Sequence, residues 1–202
     1  MTSETTRDPV KDHLLTPQNS ALVIIDYQPV QVTSVASMDR RELVTNIVAV
    51  ARIAKLYGLP IVLSTVNVNT GINQPTIHQL TDVLTGVEPL DRTTINAWED
   101  VEFVHAVKST GRKKLVMTAL WTEACLTFPT LDALQEDYEV YPVVDAVGGT
   151  SPSAHRAALE RIAQAGATPI SWVQLICELQ RDWNRKATAA KFAEILFAVE
   201  GH

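Results

Sequence analysis

Cys125 carries the most chemical promise in the chain. It follows the apolar run KLVMTAL, 114–120, and opens a stretch patterned as a helix that starts at Glu123 or Ala124 and runs to Gln135. A thiol at a helix N-terminus feels the positive end of the macrodipole, which favours thiolate, and such cysteines can fall to a pKa of roughly 3.5–7.5. The unpaired N–H groups of the same first turn could hold an oxyanion as a carbonyl is attacked. Asp26 ends the apolar run ALVIID, 21–26. A carboxylate there must be hydrogen-bonded, paired or protonated. It could take the Cys125 proton and later activate water. Arg92 precedes the stretch INAWED, and Asp145 ends the run VYPVVDA. Each main candidate also has a plainer reading. Cys125 could be a small buried apolar residue, and Asp26 could cap the loop that follows it. The residues alone leave both readings open.

Other reactive side chains read as structural. Cys177 lies among Val173, Leu175, Ile176 and Leu179 on a helix pattern, where a core role fits. The five histidines show no metal-ligand spacing, and His105 and His155 fall on helix faces. Of the four tryptophans, Trp121 stands out because it lies just before the turn Thr122–Cys125. No glycine-rich dinucleotide motif, phosphate loop or serine elbow is present.

The elements that must position these residues alternate strand and helix, the signature of an α/β fold with a mainly parallel sheet. Strands are expected at 21–26, 61–66, 114–120, 140–146 and 168–172, with a short one near Pro89–Thr93. A helix is expected from Asp39 to Tyr57, ended by Gly58 and Pro60. Further helices are expected at 77–84, 100–109, 123–135, from Pro152 to Gly166, at 173–180 and at 188–198. In open sheets of this kind ligands bind at the carboxyl ends of the strands. Asp26, Cys125 and Asp145 all fall there, and Arg92 could reach the same edge. Residues 1–18 read as an extended arm and 19–202 as a single domain.

Composition sets the outer bounds. The chain has 202 residues, 46% hydrophobic and 20% charged, with a net charge of −6. That is enough chain for one domain with a sizeable core. The acidic balance gives no reason to expect nucleic acid or an anionic membrane as partner. No apolar run nears the roughly 20 residues of a membrane span. The polar N-terminus lacks a signal-peptide core. Two cysteines are not a secreted disulfide framework. A cytoplasmic location is the expectation.

Several motifs in order resemble the isochorismatase-like cysteine hydrolase superfamily. The stretch IIDYQP, 24–29, matches its first-strand pattern, and Ala119-Leu120-Trp121-Thr122-Glu123-Ala124-Cys125 matches its nucleophile turn. INAWED, FVHAVKSTGRKKL, TEAC with FPTLDAL, and CELQRDW resemble YcaC-like members. The resemblance implies a three-layer α/β/α sandwich with a six-stranded sheet in the order 3-2-1-4-5-6. It also implies an Asp-Lys-Cys triad and a non-proline cis peptide, here placed at Trp121–Thr122. Asp26 and Cys125 match the triad, whereas Arg92 stands where the lysine is expected. Arginine is effectively always charged, so it can hold Asp26 ionised or grip a carboxylate but cannot shuttle a proton. Gln28, Asn96 and Trp121 are candidate substrate contacts, with Trp121 expected to narrow the pocket. Thr122 and Trp121 belong to the oxyanion turn.

The stretch STVNVNTGINQP has no His or Asp, so the zinc cluster of the superfamily's nicotinamidases is not expected, and neither is any other cofactor. The expected activity is hydrolysis of a small-molecule amide through a thioester. Vinyl-ether cleavage is disfavoured by the presence of Cys125. A ligand-binding or assembly protein on the same fold is the alternative. A homo-oligomer is implied. The closing helix, with Phe192, Ile195, Leu196, Phe197 and Val199, could meet either the chain's own sheet or a second subunit.

Overall fold

A computed structural model describes residues 6–200. Five parallel strands form one sheet: β1 (Ser20–Ile25), β2 (Ile61–Val66), β3 (Leu90–Arg92), β4 (Lys114–Ala119) and β5 (Glu139–Pro142), in the order β3-β2-β1-β4-β5. The central strand β1 is buried throughout and pairs with β2 and β4 on its two sides. Its side chains alternate between two cores, as strand geometry requires. Leu22 and Ile24 face one side, with Ile47 and Ile53 of α2 (Arg40–Tyr57), Leu175 of α7 (Trp172–Gln180) and Phe192 of α8 (Ala189–Glu200). Ala21, Val23 and Ile25 face the other, with Phe103 of α4 (Val101–Ser109), Ala133 of α5 (Thr127–Gln135) and Ile162 of α6 (Pro152–Gln164). This is the three-layer sandwich the sequence implies.

Local chemistry explains the boundaries that matter. Asp39 accepts from the N–H groups of Arg41 and Glu42 and starts α2, and Gly58 ends it in the left-handed conformation. Pro142 closes β5, because it has no N–H to give. The expected strand extension to Ala146 is therefore replaced by a 3₁₀ turn at Val144–Ala146. The expected strand at 168–172 shrinks to one parallel bridge, Val143 to Ile170, at the sixth sheet position. Ser171 caps α7 at once, so the chain has no room to extend.

The arm is also different from its expectation. Residues 6–18 run in turns packed on the domain rather than as an extended arm, and Leu15 is fully buried. The Leu15 N–H donates to Glu178 on α7 at 2.8 Å, and Lys114 Nζ donates to the His13 carbonyl at 2.6 Å. The first five residues of the arm lie outside the described residues. On α8, Phe192, Ile195 and Leu196 are buried in the chain's own core, while Phe197 is 56% exposed; the Val199 side chain lies outside the described residues. No helix among the described residues is long and apolar enough to cross a membrane.

Candidate active site

Three adjacent strands, β3, β2 and β1, together with β4, bring Asp26, Arg92 and Cys125 to the carboxyl edge of the sheet. Asp26 is the first residue past β1 and takes a positive φ of 63°, which turns the chain sharply at the strand end. Arg92 is the last residue of β3. Its Nη1 donates to Asp26 Oδ1 at 2.8 Å and its Nη2 to Oδ2 at 2.7 Å. The guanidinium also donates to the Thr65 carbonyl at 3.0 Å and the Ile95 carbonyl at 3.3 Å. Burial works against the Arg92 charge, and the Asp26 pairing more than offsets it, so its pKa lies above the ordinary value. The bidentate fork is a geometry lysine cannot make.

Cys125 sits in a widened π-type turn, Thr122–Leu126, that leads into α5. Its thiol lies close enough to the Asp26 carboxylate to feel its charge. Burial first, then the neighbouring Asp26 carboxylate, push the thiol up to about 12, with Arg92 and the Trp121 backbone pulling the other way. The low pKa expected from a helix N-terminus is therefore corrected. Cys125 lies inside an irregular turn, next to a buried negative charge, and rests as a thiol rather than a thiolate.

The cis peptide is Leu120–Trp121, one bond earlier than the sequence reading placed it. The Trp121 backbone is near enough to the Cys125 sulfur to favour its thiolate slightly. The Thr122 N–H is spent on the Gly148 carbonyl at 2.9 Å, so it is not a donor to the site. The Trp121 indole N–H donates to Ser34 Oγ at 2.8 Å and the Gln31 carbonyl at 3.2 Å, and the ring packs on the side of the sheet that carries α2. Trp121 thus ties the Cys125 turn to the short helix α1 (Pro29–Thr33).

The profile of the Isochorismatase domain family matches residues 20–174. The probable hydrolase YcaC of Escherichia coli (strain K12) is 34% identical over 170 residues, covering 84% of this chain and 81% of that protein. The chain belongs to the isochorismatase family. A crystal structure of the Escherichia coli YcaC product, described as an octameric hydrolase of unknown specificity, superposes with a TM-score of 0.86 at 32% identity, covering 94% of each chain. YcaC from Pseudomonas aeruginosa, solved with hexane-2,5-diol and covalent acrylamide, gives a TM-score of 0.82 at 31% identity, covering 97% of this chain and 98% of that one.

Within this isochorismatase domain, other sequence candidates turn inward. The substrate contact expected of Gln28 is corrected. The side chain is fully buried, donates to the Val66 and Gln74 carbonyls at 3.1 and 2.6 Å, and accepts from the Val66 N–H. It fastens the loop after β2. Asn96 likewise accepts from the Trp98 N–H and donates to Asp132 at 2.7 Å, bracing a 3₁₀ turn against α5. Asp145 is not part of the cluster. Its carboxylate accepts from the Trp172 N–H at 3.0 Å and caps α7, and burial raises its pKa. Sequence reasoning missed His155, whose Nδ1 meets the Thr122 hydroxyl at 2.8 Å. The two residues are 33 positions apart with no shared motif, so no local signal marks the contact. Among the described residues, no group of three or more His, Cys, Asp and Glu side chains gathers as a metal would need.

Proposed function

We propose that this isochorismatase-family hydrolase cleaves an amide-type C–N bond of a small molecule, with Cys125 as nucleophile and Asp26 as base. The observation that carries the reading is the Cys125 thiol held beside a buried carboxylate that Arg92 grips at both oxygens. In the first half-reaction the sulfur attacks the carbonyl carbon while its proton passes to Asp26. Negative charge develops on the carbonyl oxygen, and the backbone N–H groups of the turn, those of Trp121 and Cys125, are the donors assigned to it in this reading. Asp26 gives the proton to the leaving nitrogen, the C–N bond breaks and a thioester remains. Water, deprotonated by Asp26, then attacks the thioester. The C–S bond breaks, the acid leaves and the thiol regains its proton. Arg92 holds the Asp26 carboxylate in place at both oxygens and transfers no proton.

Such a thiol needs its proton removed only when substrate arrives, which suits a resting pKa of about 12. Changing Cys125 to Ser is expected to abolish turnover of any substrate found, with circular dichroism unchanged. Retained turnover contradicts the assignment.

The proposal extends to assembly. The Escherichia coli relative is described as octameric, and here Trp183 is 65% exposed and Phe197 56% exposed. Aromatic side chains of this kind are enriched at subunit contacts. Sedimentation is expected to give a homo-oligomer, and a 22.2 kDa species at every concentration contradicts it.

A further inference from the structure

The nucleophile turn is held from behind by side chains for which the chemistry above has no use. Thr122 is fully buried between Trp121 and Cys125. Its N–H donates to the Gly148 carbonyl, its carbonyl accepts from the Thr127 hydroxyl at 2.7 Å, and its own hydroxyl meets His155 Nδ1 at 2.8 Å. The turn begins at Trp121 with no side-chain cap, so the Thr122 hydroxyl is a side-chain tie in the place where a cap would act.

His155 lies on the first turn of α6, half-buried. Glu123 faces it. One Glu123 oxygen accepts from the Thr150 N–H at 2.9 Å and from the Thr150 hydroxyl at 2.6 Å. The other, Oε2, is buried without a hydrogen-bond partner. Gly149 lets the two sides close. A Cβ there would stand 2.6 Å from Glu123 Oε2 and 3.0 Å from the His155 Cβ, a space only glycine leaves open. Burial lowers the His155 pKa and Glu123 pulls the other way, with burial dominant, so the ring is neutral at neutral pH. One tautomer of a neutral imidazole accepts the Thr122 proton, and the other donates to the Thr122 oxygen.

We propose that His155 is a positioning residue. By holding the Thr122 hydroxyl it fixes the peptides of the nucleophile turn, and with them the Trp121 N–H and the Cys125 sulfur. The inference rests on the reading of Cys125 as the reactive residue and adds a residue on a separate element that sets its geometry.

Alkylation of Cys125 by iodoacetamide tests it, in a Cys177→Ser background so that one thiol is read. His155→Ala and Thr122→Val are each expected to change the second-order rate constant, by about three- to tenfold, the span of one ordinary hydrogen bond. The double variant should differ from wild type no more than either single variant, because both remove the same contact. His155→Asn, whose amide can accept or donate in place of Nδ1, should restore most of the wild-type rate. Near-ultraviolet circular dichroism shows that the variants compared are folded, and if His155→Ala is not, Thr122→Val against His155→Asn carries the test. A wild-type rate in His155→Ala or Thr122→Val, additive losses, or no recovery with Asn overturns the proposal. Alkylation reads the sulfur whether or not it is catalytic, so the outcome is separable from the turnover of Cys125→Ser.

Discussion

The two ends of the sheet each bury an aspartate against arginine, and they use the pair differently. At the amino end, the Asp12 side chain is 6% exposed, but Arg7 at 44% and Arg181 at 21% reach it from solvent. Burial alone would raise the Asp12 carboxyl. The Leu14 N–H and the two arginines outweigh it and hold the group at about 2. The pair borders a cavity of about 310 Å³ between residues 6–18 and α7, lined among others by Arg7, Asp12, Leu15 and Arg181. At the carboxyl end, Asp26 and Arg92 are sealed at 0% and 1% exposure. Their third partner is a thiol, pushed up to about 12 by burial first and by the same buried charge second. A buried ion pair with no further partner is a fastening; on the proposed reading, the thiol beside Asp26 turns the second pair into a site for proton transfer.

Asp26→Asn should separate the two uses of charge most strongly. Loss of a positioned base is expected to cut turnover by about 10²–10⁴-fold. The same change removes the charge that raises the thiol pKa and leaves Arg92, which lowers it. Alkylation of Cys125 at pH 7 should therefore become faster while hydrolysis collapses. Slower alkylation together with lost turnover would mean that Asp26 supports the fold rather than the proton transfer.

The two clamps should then differ in stability. Arg92→Ala leaves Asp26 buried and uncompensated, at a cost of about 3–5 kcal/mol. Asp12→Asn can keep the contact with the Leu14 N–H and lets its two arginines turn back to solvent, so it should cost clearly less than Arg92→Ala in urea unfolding. The Asp12 pKa is depressed from its ordinary 3.8 to about 2. Its contribution is thus complete above the unfolded-state value and is lost as pH falls through the folded one. Asp12→Asn should flatten stability against pH in that acid window. Equal losses at the two clamps would erase the distinction between them.

Most of the fold is legible in the sequence because β1, β2 and β4 are uninterrupted apolar runs with helices capped by Asp39, Gly58 and Ser151. The Asp26–Cys125 pair is legible as well, since strand ends in such sheets converge. The bidentate grip of Arg92 is not, because it depends on where the guanidinium reaches across β2 and β1. The thiol pKa runs opposite to the helix-dipole argument, since burial, and after it a carboxylate nearby, outweigh a turn that is not a regular helix. Gln28 and Asn96 illustrate a related limit: polar residues next to a site can be wholly consumed by backbone and loop contacts. The sixth strand is lost to two side-chain caps, Ser171 and Asp145, that start α7 early.

The central claim is a covalent acyl group on Cys125. Mixing the protein with a panel of small amides and their more reactive esters, quenching in acid within the turnover time and mapping the peptides by mass spectrometry measures it directly. The expected result is an acyl mass on the peptide carrying Cys125, absent from Cys125→Ser. Turnover with the acyl group on another residue, or with no protein-bound acyl group under conditions where deacylation is slow, would contradict the account.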